Sequence, residues 1–238
     1  MFIVLALATI PFHYDGALRP GQTLTVRDIN GTVRVHEGGS LRIDATKHAE
    51  HGDPAAVAIH VEPRPDGLIV CVRYPPDAQR GCADGGGGTH VSTDNDTAVD
   101  FDVTLPRDVR LDAQTVNGSI DAQTAGEVSA ATVNGRVSVD APAIRAAKSV
   151  NGSLDLRLRA RGDVPLTAKT VNGSIRVDLP PGSGARVAAK TLLGGIDVPG
   201  LAVDKPRFGP GASANGTLGG GGRDVDLQTV NGTITLRR

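Results

Sequence analysis

Thr115-Val116-Asn117-Gly118-Ser119-Ile120 is a phrase the chain keeps repeating, and the recurrence decides the fold. It returns as Thr132-Val133-Asn134-Gly135-Arg136-Val137 and as Ser149-Val150-Asn151-Gly152-Ser153-Leu154. It returns again as Thr170-Val171-Asn172-Gly173-Ser174-Ile175 and Thr229-Val230-Asn231-Gly232-Thr233-Ile234. A degenerate copy reads Thr191-Leu192-Leu193-Gly194-Gly195-Ile196, a weaker one Asn215-Gly216-Thr217-Leu218. An outlying copy, Ile29-Asn30-Gly31-Thr32-Val33, lies upstream. The Asn positions and their equivalents, 117, 134, 151, 172, 193, 215 and 231, lie 16 to 22 residues apart. A unit that short cannot bury an apolar face alone, so neighbouring units must stack and share one core.

Within each unit the apolar residues alternate after the Asn-Gly pair. Val137 and Val139; Leu154, Leu156 and Leu158; Ile175, Val177 and Leu179; Ile196 and Val198; and Ile234 and Leu236 all follow this rule. A period of two means a strand with one buried face. Asp155, Arg157, Arg176 and Asp197 fall between them, on the face toward water. Asn-Gly marks a sharp bend, since glycine reaches positive φ without steric cost and asparagine tolerates it better than most residues. Asn30-Gly31, Asn117-Gly118, Asn134-Gly135, Asn151-Gly152, Asn172-Gly173 and Asn231-Gly232 are therefore bend residues. In an isolated hairpin the pair would form a two-residue turn. In a stacked array it would be the corner of each coil, with Asn side chains piled from one coil to the next. The regular period favours the array. The expected fold is all-β, a single-chain β-solenoid of the right-handed parallel β-helix kind with a β-rich N-terminal cap.

Composition agrees. The chain has 31 Gly and 15 Pro but only four Phe, two Tyr and no Trp, so the core must be thin and aliphatic. A net charge of −1 lacks the basic excess of a nucleic-acid-binding protein. Asp53-Pro54 could open a helix, but Val57, Ile59 and Val61 then alternate as in a strand. Three regions follow: residues 1–20 as a leader, 21–105 as the β-rich cap, and 106–238 as the repeat body. The apolar run Phe2 to Ile10 is too short to cross a bilayer and fits the apolar part of a signal peptide, with Ala6-Leu7-Ala8 as a cleavage pattern. A buried first strand is the alternative. Export in turn favours a disulfide between Cys71 and Cys82 over two free thiols.

The array of T-V-N-G-[ST]-[IL] phrases resembles the bacterial family of β-strand-repeat proteins of unknown function that carries the name putative adhesin. Val99-Asp100-Phe101-Asp102-Val103-Thr104-Leu105-Pro106, leading through Val109 and Leu111 into the first repeat, is similar to that family as well, as is Val70-Cys71-Val72-Arg73-Tyr74-Pro75. The resemblance covers roughly residues 24 to 238. It implies a β-helical repeat body, export to the periplasm or cell surface, and no known enzymatic activity. Leu193-Gly194 departs from the pattern.

Candidate chemistry is sparse. Lys148, Lys169 and Lys190 share one repeat position and would form a column, either a solvated face or an anion-binding stripe for phosphate or acidic polysaccharide. His48 and His51 with Glu50 and Asp53 are spaced too loosely for a metal site and read as a polar loop. Asp94, Asn95 and Asp96 lack the rest of a calcium loop, and Gly219 to Asp224 is one glycine-rich turn. The Ser or Thr after several Asn-Gly pairs completes glycosylation acceptors, though the bend already accounts for both residues. No metal, cofactor or catalytic residue is expected. The expected role is an exported, non-catalytic adhesin-like or envelope interaction protein whose partner is an unknown surface component. The alternative is a β-helix polysaccharide lyase or hydrolase, for which Arg157, Arg159, Arg161 and Asp155 form the one dense group.

Overall fold

The computed structural model describes residues 9–82, 95–207 and 209–238. Its strands are β1 (Thr9–Gly16), β2 (Thr23–Arg27), β3 (Val33–Gly38), β4 (Leu41–His48), β5 (Ala58–Arg64), β6 (Gly67–Arg73) and β7 (Ala98–Pro106). The repeats supply β8 (Arg110–Gln114), β9 (Ile120–Gln123), β10 (Glu127–Ala131), β11 (Val137–Ala141), β12 (Ala143–Lys148), β13 (Leu154–Leu158), β14 (Leu166–Lys169) and β15 (Ile175–Asp178). β16 (Ala185–Leu193), β17 (Ile196–Asp197), β18 (Ala212–Leu218), β19 (Arg223–Asn231) and β20 (Ile234–Arg237) complete the chain.

These strands build two ten-stranded mixed sheets. One has the order β1-β4-β7-β3-β9-β11-β13-β15-β20-β17, the other β18-β16-β19-β14-β12-β10-β8-β2-β6-β5. From β8 to β15 the chain alternates between the sheets, so each repeat gives one strand to each. Every neighbour pairing among these repeat strands is parallel and places equivalent residues side by side; Val137, for example, lies beside both Ile120 and Leu154. Antiparallel pairing is confined to the ends: β1 with β4, β4 with β7, β5 with β6, and β16 with β18.

The alternation read from the sequence places the core. Val137, Val139, Leu154, Leu156, Leu158, Ile175, Val177, Leu179, Val198, Ile234 and Leu236 are all buried, while Ile196 is half-buried at the sheet edge. Each fully buried aliphatic side chain contributes about 1.5–3 kcal/mol. The interior holds Phe101 and Tyr74 as its only fully buried aromatics among the described residues. Asp53 accepts a hydrogen bond from the Ala55 amide and caps one 3-10 turn, Pro54–Ala56, before β5 begins. The Asp53-Pro54 signal and the alternation after it are thus both used.

The hairpin alternative for Asn-Gly fails, because the strands flanking each copy other than Asn215-Gly216 belong to different sheets. Other sequence expectations need correction. The stacking order is not the chain order. Asn30, taken as outlying, lies directly against Asn117, and the parallel bridges then run through Asn134, Asn151, Asn172 and Asn231. The C-terminal copy is thus inserted between the fourth repeat and the degenerate one: β20 lies between β15 and β17, and β19 between β14 and β16. Asn215-Gly216 is no bend; it lies inside β18, paired antiparallel with Val187 and Ala188. Of the expected leader, Thr9–Gly16 is an edge strand, whereas Ala6-Leu7-Ala8 lies outside the described residues. Of the expected cap, β2 and β3 continue the parallel ladders of the repeats.

Candidate functional site

The most regular surface is the edge where the Asn-Gly bends pile up, and each position of the phrase does one job there. The first residue points inward. Thr132, Ser149, Thr170, Thr229 and Thr191 donate their hydroxyls to the glycine carbonyl of the neighbouring repeat, at 2.9–3.1 Å. The second residue points outward: Val116, Val133, Val150, Val171 and Val230 are 37–40% exposed and, with Leu192, form an apolar column. The third residue builds a ladder. The side-chain amide of Asn117 donates to the side-chain oxygen of Asn30 at 2.8 Å, and Asn134, Asn151, Asn172 and Asn231 each donate to the previous Asn at 2.7–2.8 Å. The fourth must be glycine, since a Cβ on Gly152 would overlap the carbonyl of Gly135, and one on Gly118 that of Gly31.

The ladder has ends. Leu193 replaces Asn beside Asn231, so the side-chain chain stops there, although the Gly232 amide still reaches the Leu193 carbonyl at 2.9 Å. At the other end the Asn30 amide meets the Tyr74 hydroxyl at 3.5 Å. Asp28 stands in that first repeat where later copies carry Thr or Ser. It is buried, its Oδ2 accepts from the Thr115 hydroxyl at 3.3 Å, and its Oδ1 has no partner. Burial pushes its carboxyl up to about 7.

Beside the Asn ladder, on the outer face of the sheet containing β13, β15 and β20, lies a shallow polar furrow of about 450 Å³. Ser153, Ser174 and Thr233 stand next to one another along its floor, and Arg136, Asp155 and Arg176 rise beside them. Arg136 Nε lies 3.8 Å from Asp155 Oδ2. Nothing in the repeat pattern announced this furrow. Its hydroxyls are the variable fifth position of the phrase, visible only once the stacking order is known.

The lysines expected as a column are placed as follows. Lys148 lies beside Lys169. Gln228 of the inserted β19 then stands between Lys169 and Lys190. Lys169 Nζ lies 3.3 Å from Asp226. The dense arginine group is divided: Arg157 and Arg159 both face Asp140, at 3.9 and 2.9 Å, Arg161 donates to the Pro181 carbonyl, and Asp155 faces Arg136. His48 faces Asp100 at 3.8 Å. Glu50, His51 and Asp96 come together, but Asp96 already accepts from the backbone amides of Glu50, His51 and Gly52, with the Gly52 bond at 2.7 Å. That loop is held by its own backbone. Asp94 lies outside the described residues, and of Gly219 to Asp224 the four glycines link β18 to β19 while Arg223 and Asp224 begin β19. Cys71 and Cys82 form a disulfide, with their Cα atoms 5.8 Å apart. It ties the segment after β6 to the outside of the second sheet, where the Cys82 amide also donates to Glu62 at 2.9 Å.

The fold and this edge define an all-β repeat protein with in-register parallel stacking and side-chain ladders. No helix among those residues is long and apolar enough to cross a membrane. No family model and no curated protein matches the sequence. Among solved structures the chain is similar to a putative cell adhesion protein from Clostridium sporogenes, at 15% identity and a TM-score of 0.49, covering 96% of this chain and 99% of that one. It is also similar to a putative adhesin from Bacteroides fragilis, at 10% identity and a TM-score of 0.42, covering 96% of each chain.

Proposed function

We propose that the chain is an exported, non-catalytic protein of the bacterial cell envelope, adhesin-like in role, whose repeats form a right-handed β-solenoid. One observation carries the reading: equivalent residues of successive repeats lie side by side in both sheets, over a thin aliphatic interior. A body built this way offers a long rigid face rather than a pocket, which suits holding an extended partner. The disulfide fits an oxidising compartment. The test is fractionation of the native cell with protease shaving of intact cells, followed by binding of the purified protein to envelope fractions and to whole cells. Recovery outside the cytoplasm together with saturable binding is expected. A cytoplasmic pool with no binding to any fraction would overturn the proposal.

A further inference from the structure

We infer that the furrow beside the Asn ladder binds a linear polysaccharide bearing carboxylates, laid along the stacking direction; this deepens the envelope-binding reading and rests on it. Backbone hydrogen bonds put Ser153, Ser174 and Thr233 side by side just ahead of three neighbouring strands, β13, β15 and β20, since the Leu154 amide donates to the Ser174 carbonyl and the Ile175 amide to the Thr233 carbonyl, both at 2.9 Å. Adjacent strands are about 4.8 Å apart, so a chain running along the stack meets one hydroxyl per strand. Thr235 extends the hydroxyl surface one row further out, level with Arg176.

Charge selects the ligand. Arg176 is exposed and makes no hydrogen bond or ion pair among the described residues, although Asp155 stands beside it in register. Asp155 faces Arg136 instead, at 3.8 Å. The furrow therefore holds two guanidiniums against one carboxylate, with Arg176 free to take a carboxylate in two parallel hydrogen bonds. Ile175 is the one apolar residue in the lining and is itself buried, which disfavours a lipid chain. No aromatic lines the furrow, so bases have nothing to stack on. Hydroxyls in a row with an unpaired guanidinium suit a hydroxyl-rich, carboxylate-bearing chain.

The experiment titrates the intact protein with a hexamer of 1,4-linked uronic acid, with cellohexaose as the neutral control and a short single-stranded DNA as the polyanion control. The uronate hexamer should bind at least tenfold more tightly than either control. Arg176→Ala should weaken it tenfold or more and Arg176→Lys by less, while Arg19→Ala, in the exposed loop before β2, should leave it unchanged. Ser174→Tyr, which fills the furrow without removing charge, should abolish binding while circular dichroism stays that of the wild type. Failure of the hexamer to saturate at millimolar concentration, equal binding of the DNA, or indifference to Arg176→Ala would each overturn the inference. Cells that still capture wild type and Arg176→Ala alike would reject the furrow while sparing the envelope-binding reading.

Discussion

The two edges of the repeat body, both made by chain crossing between the same two sheets, obey different rules. On the Asn-Gly edge five residues separate β8 from β9, β10 from β11, β12 from β13 and β14 from β15. On the opposite edge the crossings take three residues between β9 and β10, one between β11 and β12, seven between β13 and β14, and six between β15 and β16. The Asn-Gly crossings are thus constant, and the variation in the repeat lies in the other crossings and in strand length. The difference lies in what each crossing must satisfy. On the Asn-Gly edge the regular repeats each make a Thr or Ser bond inward, an Asn bond along the stack and a close glycine approach, and all three fail if a residue is added. On the other edge the contacts are particular to each crossing, as where Arg159 pairs with Asp140 and Arg161 donates to the Pro181 carbonyl.

The comparison can be broken most severely at a stacked glycine. Gly152→Ala should destabilise the protein by about 3 kcal/mol or more, because the new Cβ collides with a backbone carbonyl that cannot rotate away. Gly220→Ala, where a Cβ meets nothing within 4 Å, should stay within about 0.5 kcal/mol in the same urea titrations. Next in size is the exception on the regular edge. The folded state holds the Asp28 proton up to about pH 7, whereas an unfolded aspartate releases it near 3.8. The unfolded chain ionises first, so stability falls as pH rises between these values and stays low above them. Asp28→Thr, which restores the residue used by other repeats, should be more stable than wild type by on the order of 2–4 kcal/mol at pH 8. That gain should shrink toward pH 4, and melting curves across the range check both.

Smaller effects belong to the ladder. Asn151→Ala removes the bond donated to Asn134 and the one accepted from Asn172, and should cost about 1–2 kcal/mol. Asn231→Ala, at the ladder's end, removes only the bond to Asn172 and should cost about half as much. The smallest effect is expected on the irregular edge. Inserting Gly-Ser after Gly162 should change stability by less than about 0.5 kcal/mol, since loop length enters only logarithmically. The same insertion after Gly135 should unfold the body; proteolytic resistance distinguishes the two.

Much of this was legible in the sequence, and the limits have a physical pattern. Alternation at Leu154, Leu156 and Leu158 gives strand and burial because side-chain direction is a local property of the backbone. Asn-Gly marks the bend as well, but not through the expected left-handed backbone: no ladder Asn has positive φ, and Gly118, Gly152, Gly173 and Gly232 are needed for their close approach to the next carbonyl. Whether that bend joins strands of one sheet or of two is set by distant neighbours, so the phrase alone left both open. The position of Asn231 beside Asn172 depends on which strand edge is free when β19 and β20 arrive. Asn215-Gly216 carries the same two letters yet lies flat, because β16 offers β18 an antiparallel partner. The furrow was the least legible. Ser153, Ser174 and Thr233 occupy a position that varies between copies, and only the true stacking order brings them together.

That order also bears on how the molecule is completed during synthesis. Asn172 and Asn231 are neighbours in the ladder but 59 residues apart in the chain. As the polypeptide emerges N-terminus first, β14 and β15 keep an open edge until β19 and β20 have followed. The segment holding β16 to β18 must meanwhile stay undocked, since its seat is on β19 and β20. β19 and β20 act as a keystone, so this end of the body closes only once they have been made and have docked.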